Sequence, residues 1–275
     1  MNAYHIGRQQ LTLILRSKWL LGFGLLFMFL AFFVTYFSQT ENTGFDGFNR
    51  MTASLLNLNL LMIPLISLLM GSMFLAGEKE DSGLQLLLTY PIYVRSVLIG
   101  KYAGLFVALS VVLTGGYGIA LLSMYLINSH VSLIVILKFY LLSLLLSGMF
   151  VALSILIGIL SKTRIQALGL SLVVWAIFTL FYEFMLMGIS LFLPKQSILL
   201  MLSVAIFLNP AELIRVWSIL SLDGASVFGP GLYDLTVWAS GGLGTLLFIA
   251  SSCLWIAVPL IITGHSIKRG IKNDG

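Results

Sequence analysis

The sequence predicts an all-α polytopic membrane protein with six transmembrane helices, and three observations carry that prediction. Of 275 residues, 59% are hydrophobic and only 9% charged, whereas an ordinary soluble domain carries about 25% charged residues. Apolar runs of about 18 residues or more recur along the chain, each long enough to cross a hydrocarbon core as a helix. These runs also lack the alternation over about ten residues that a membrane β-strand requires.

The first run, Trp19–Phe37, follows Arg8, Arg16 and Lys18. It is longer than the apolar core of a signal peptide, and no A-x-A-like cleavage site closes it, so it reads as a retained span. Ahead of it, Tyr4 to Lys18 reads as an amphipathic helix, with Arg8, Thr12 and Arg16 on one face and Leu11, Ile14 and Leu15 toward another. A basic face opposite a leucine-rich one suits a helix lying on a membrane surface.

The second and third runs, Leu55–Ala76 and Val97–Ile127, flank a polar break, Glu78-Lys79-Glu80-Asp81-Ser82-Gly83. A leucine-rich turn, Pro91, Arg95 and Lys101 follow it. Ser82 suits a helix N-cap, with the acids before it meeting the positive end of the dipole. Leu84, Leu87 and Leu88 share one face. Pro91 pushes the residue before it out of helical geometry, so this short helix stops near Thr89. The expectation is a helix lying across the ends of two spans.

The remaining runs are Val131–Leu160, Ala167–Leu193 and Leu235–Thr263. Small residues at Gly100-x-x-x-Gly104, Gly115-Gly116-x-Gly118 and Gly241-Gly242-x-Gly244 permit close crossings, within the chain or between two copies. Glu183 is the one acid well inside a span, about 15 Å from Pro194 at a rise of 1.5 Å per residue. An intramembrane carboxylate is costly and points to function; the plainer reading is a protonated acid hydrogen-bonded to a neighbouring helix. Met185 and Met187 lie near it but point to different faces, which disfavours a shared copper site.

Between the fifth and sixth runs, Ser197–Leu208 is apolar but only 12 residues long, a length that suits an interfacial or re-entrant piece. Asn209-Pro210-Ala211-Glu212 then opens a new helix, with asparagine as N-cap, proline at the first helical position and glutamate completing a capping-box-like pattern. Counting this region as a seventh span would turn the basic tail Lys268-Arg269-Gly270-Ile271-Lys272 outward, against the charge rule. With six spans and a cytoplasmic N-terminus, 11 of the 15 lysines and arginines lie on the inner side, as the positive-inside rule demands. Both termini and the Glu78–Lys101 break are then cytoplasmic. A lone cysteine, Cys253, excludes an internal disulfide, and the separated His5, His130 and His265 suggest no metal cluster.

An acidic pair, a glycine, a leucine-rich turn, Tyr90-Pro91, a basic residue and Ile99-Gly100-Lys101 before a long span resemble the pattern of ABC type-2 exporter permeases. The resemblance covers essentially the whole chain. It implies one permease domain over residues 1–275, with an elbow helix at 1–18, a coupling helix at 78–91 and a periplasmic segment at 194–234. Carried over by position, Glu78, Glu80, Gly83, Leu84, Leu87, Leu88, Pro91 and Arg95 would face an ATPase subunit, and Lys101 also matches the pattern. Gly100-Lys101 is the only Gly-Lys pair, yet Arg95 stands where a P-loop needs glycine and Tyr102 where it needs serine or threonine. The chain is therefore expected to be non-catalytic, with ATP and magnesium held by a partner ATPase dimer. A second copy of the chain and membrane lipid are further expected partners; nucleic acid is not.

The outer segment, Asn209-Pro210-Ala211-Glu212-Leu213-Ile214-Arg215, Asp223-Gly224 and Gly229-Pro230-Gly231, resembles permeases that serve copper-site assembly of nitrous-oxide reductase. That resemblance implies a bacterial inner-membrane location and a periplasmic copper-site assembly protein docking on Asn209, Pro210, Glu212, Arg215 and Asp223. A generic exporter of lipid, drug or ion would share the inner features and differ only outside. An ion-coupled carrier or intramembrane enzyme would need ionisable residues clustered within spans, where only Glu183 qualifies.

Overall fold

The structure, a computed structural model, describes residues 3–37, 50–83, 93–126, 133–222, 224 and 233–273. Those residues are helical, with no strand among them. Helix α1 (Ala3–Leu15) precedes α2 (Lys18–Phe37), α3 (Arg50–Glu80), α4 (Val94–Leu126) and α5 (Leu133–Leu160). Helix α6 (Arg164–Ala176) passes through a π-helical turn, Ile177–Phe181, into α7 (Tyr182–Ser190). Then come α8 (Lys195–Leu208), α9 (Pro210–Ser221), α10 (Tyr233–Ser240) and α11 (Gly242–Asn273).

Six helical stretches are long and apolar enough to cross a membrane: α2, α3, α4, α5, the continuous α6–α7 unit and α11. Helices α3 and α5 form the centre, each 72% buried along its apolar stretch, while the α6–α7 span is 6% buried and α11 17%. The α6–α7 and α11 faces are apolar because their solvent is lipid or another protein surface, not water.

Without a hydrophobic force between helices in lipid, association depends on close packing and interhelical hydrogen bonds. Both are present. Asn59 Nδ2 donates to the Tyr117 hydroxyl at 2.6 Å, and that hydroxyl pairs with Ser143 Oγ at 2.6 Å, joining α3, α4 and α5. Ser72 and Ser171 hydroxyls meet at 2.7 Å between α3 and α6. Pro64 interrupts the α3 ladder, and the Trp175 indole N–H donates to the nearby Leu61 carbonyl at 3.0 Å.

Helix α1 packs along α4 more than it extends α2. Its buried line is Ile6, Gln10 and Ile14, while Arg8, Thr12 and Arg16 are exposed. The expected basic face is therefore outward, but the inward face contains a glutamine and leaves Leu15 outside. The crossing is close because Gly104 has no side chain: a Cβ there would lie 2.7 Å from the Gly7 carbonyl oxygen. The Gly100/Gly104 pair thus receives α1 instead of another span. Gly116 packs against Phe27, an α4–α2 crossing.

At the C-terminal end, the run expected as one span from Leu235 is broken at Gly241 into α10 and α11. Gly241 N–H bonds the Trp238 carbonyl at 3.1 Å, and a Cβ on Gly244 would collide with the Ala239 backbone. This third glycine cluster makes a bend, not a helix crossing.

Candidate functional site

The polar break after the second span is arranged differently from its sequence reading. Helix α3 runs through Glu80, so Glu78 and Glu80 occupy its last turn, not a loop before the next helix. Ser82 adopts a left-handed backbone, φ 58°, which closes α3 as a helix C-terminal residue commonly does. Leu84, Leu87, Leu88 and Pro91 lie outside the described residues, and with them the body of the expected coupling helix.

Acids at a helix C-terminus meet the negative end of the dipole, so they require cations, and each finds one. Glu78 pairs with Lys101 of α4, whose side chain is 4% exposed against 26% for the glutamate. Gln10 Oε1 of α1 stands 3.5 Å from the same ammonium. Asp81 pairs with the Arg164 guanidinium at the start of α6. Glu80 accepts the Arg164 backbone N–H at 2.9 Å, placing a carboxylate at the positive end of α6. Beside it, Thr163 is the α6 N-cap and accepts from Gln166 N–H at 3.2 Å.

Lys79 completes the set. Its ammonium donates to the carbonyls of Ile159 at 2.8 Å and Ser161 at 3.0 Å, filling acceptors that the end of α5 leaves open. The turn from Glu78 to Asp81 is therefore bonded to α1 and α4 on one side and to the α5–α6 connection on the other. Glu78 and Glu80 were expected to face an ATPase; both are engaged within the chain. Gly83 follows the turn, and Arg95 is exposed near the start of α4 with no partner among the described residues. Sequence reasoning missed Gln10, Lys79, Asp81 and Arg164. The matching signal was available only as a charge pattern: three acids within four residues, with Lys162 and Arg164 in the α5–α6 connection.

On the opposite face, α8 and α9 form a bent pair turned through 107° at Asn209. Asn209 holds the bend. Its Oδ1 accepts from Ala211 N–H at 2.8 Å as the α9 N-cap, and its Nδ2 donates to the Phe178 carbonyl at 2.8 Å inside the π-helical turn. The carbonyls at the end of α8 are also filled, by the Tyr182 hydroxyl on Ala205 at 2.7 Å and the Trp255 indole N–H on Phe207 at 3.0 Å. At the other end of α9, Lys138 of α5 donates to the Ser221 carbonyl at 2.7 Å.

Arg215 of α9 turns inward and its Nη1 binds both Glu183 of α7 and Glu212, the latter at 2.9 Å. The intramembrane acid is therefore half of an ion pair, and its partner comes from α9. Asn209 and Pro210 are buried, and Glu212 and Arg215 are largely turned to the chain's own interior. Of the residues expected to dock a periplasmic protein, these four build the bend; Asp223 lies outside the described residues. The capping glutamate pattern was legible in sequence, but Glu212 serves Arg215.

The model of the ABC-2 family transporter protein family matches residues 5–267. Two curated relatives are similar over nearly their whole lengths. One, from Stutzerimonas stutzeri, is named a probable ABC transporter permease protein NosY and is 28% identical over 273 residues, 97% of this chain and 98% of that one. The other, of the same name from Pseudomonas aeruginosa, is 30% identical over 267 residues, 94% and 92% of the two chains. With a family match that takes in α1, all six spans and the bent α8–α9 pair, this chain belongs to the ABC-2 transporter family and is a NosY-like membrane permease subunit.

Proposed function

We propose that this permease works as a homodimer in a bacterial inner membrane, with both termini cytoplasmic, and takes its driving force from a separate ATPase dimer that docks at residues 83–95. It passes that force to a periplasmic partner in copper-site assembly of nitrous-oxide reductase. The observation that carries the coupling role is the bonding of the Glu78–Asp81 turn to α1, α4, α5 and α6. A push on the following segment reaches four elements at once, because rigid packed helices transmit displacement instead of absorbing it. The internal pairing of Glu78, Glu80 and Asp81 leaves the ATPase contact to Gly83, Leu84, Leu87, Leu88, Pro91 and Arg95.

On the outer side, the α8–α9 bend supports the surface that meets the periplasmic partner, with Asn209, Pro210, Glu212 and Arg215 setting its shape from behind. The copper-site role follows from the outer-segment resemblance and from the similarity to the two NosY permeases. The test is co-purification. Leu87→Glu is expected to abolish ATPase association while membrane insertion is unchanged, and a variant that still binds the ATPase normally overturns the docking role. Deleting the gene and finding nitrous-oxide reductase with its full copper content would overturn the copper-site role alone.

A further inference from the structure

Helix α2 carries a feature that neither the coupling turn nor the outer bend uses. Lys18, Trp19, Gly22, Phe23 and Leu26 border a shallow, open apolar hollow along one of its faces. Gly22 forms its open floor, since a Cβ there would meet nothing within 4 Å. Trp19, 61% exposed, stacks on Phe23 at 6.0 Å between ring centroids and forms one wall. From Lys18 to Leu26 the groove is about 12 Å long at 1.5 Å per residue, close to one leaflet's depth of hydrocarbon.

Charge says what fits. The apolar hollow ends at Lys18, and Arg16 is exposed in the preceding turn between α1 and α2. Neither cation has an acidic partner among the described residues. The outward face of α1 adds Arg8, likewise exposed. A tryptophan and a lysine at the membrane end of a span are the side chains that favour the headgroup level, the lysine reaching out along its apolar stem. An open apolar hollow with two cations at its end, neither paired with an acid among the described residues, is complementary to one molecule with a tail and a negative head.

We infer that the α1–α2 elbow binds an anionic phospholipid, one acyl chain lying in the Gly22 groove and the phosphate held by Arg16 and Lys18. The site needs neither nucleotide nor a second subunit, so it stands independently of the proposed coupling. It also gives the elbow helix a fixed position relative to the membrane, held by a lipid on one side and by α4 on the other.

The experiment uses the full chain in nanodiscs of phosphatidylcholine containing small fractions of brominated phosphatidylglycerol or brominated phosphatidylcholine. Both leaflets carry the probe, so the result does not depend on orientation. The Trp19 signal is the difference in quenching between the native chain and Trp19→Phe. It is expected to half-saturate at a phosphatidylglycerol fraction at least tenfold below that for phosphatidylcholine, each cation contributing about fivefold. The double variant R16Q/K18Q, altered only at exposed positions, should bring the two lipids within about twofold. Gly22→Leu should weaken quenching by both. Equal quenching by the two lipids in the native chain would mean ordinary surrounding lipid and overturn the site. No Trp19 quenching by either would mean that protein covers the groove, a second copy included, and would overturn it as well.

Discussion

The Glu78–Lys101 pair gives a prediction with an unusual asymmetry. Its two members are unequally buried, the lysine side chain 4% exposed and the glutamate 26%. Glu78→Gln leaves a buried ammonium with two amide oxygens in reach, one of them Gln10 Oε1 at 3.5 Å. Breaking a buried pair from this side is expected to cost about 3–5 kcal/mol. Lys101→Met instead leaves a carboxylate that still reaches water, so the cost should fall to about 1–2 kcal/mol, nearer the surface regime. The double variant, with neither charge, should recover most of the loss, because well-packed neutral groups often replace a buried pair at little cost. A double-mutant cycle should then report a coupling of at least about 2 kcal/mol. The assay is equilibrium unfolding of the detergent-solubilised chain in SDS, followed by far-ultraviolet circular dichroism. If Glu78→Gln costs no more than Lys101→Met, or if the two effects simply add, the pair does not hold the turn.

Three further outcomes follow from the same packing. Gly104→Leu should push α1 off α4, because even a Cβ would lie 2.7 Å from the Gly7 carbonyl; limited proteolysis should then cut the first 16 residues at least tenfold faster, for a cost of about 1–3 kcal/mol. Asn209→Ala loses a cap and a second hydrogen bond, worth about 2 kcal/mol together, whereas Asn209→Ser keeps a neutral capping oxygen and should lose about half as much in the same unfolding assay. Trp255→Phe removes the donor to the Phe207 carbonyl and should cost about 1 kcal/mol, read as a lower midpoint in SDS with the helical content of the native state unchanged.

How much of this was legible in the sequence depends on the range of the interaction. The six spans follow from composition over windows of about 20 residues, and the chain places its helices where those windows lie. The Asn209-Pro210 helix start was also legible, because capping is decided within a few residues. What local pattern could not give was whether α3 stops before its acids or carries them. That is settled by Lys101 and Arg164, which lie 23 and 83–84 residues away. Glu183 shows the same limit: its cost inside a span was evident, but its partner Arg215 arrives through a 107° bend. Gly241 failed for the opposite reason. Glycine permits both a close crossing and a bend, and only the collision at Gly244 distinguishes them.

The π-helical turn at Ile177–Phe181 has a consequence beyond accepting the Asn209 amide. It fits one extra residue into the helix, and one residue is about 100° of rotation at 3.6 residues per turn. Everything after it is out of phase with everything before it: α6 keeps Ser171 on Ser72, while α7 is turned so that Tyr182 and Glu183 meet α8 and α9. A single continuous span thus serves two partners on different sides. Deleting one residue at 179 or 180 would restore a regular helix and swing Glu183 away from Arg215 by that same angle, leaving α6 in its native register. The α8–α9 pair is tuned to the Ser72–Ser171 contact by a single inserted position.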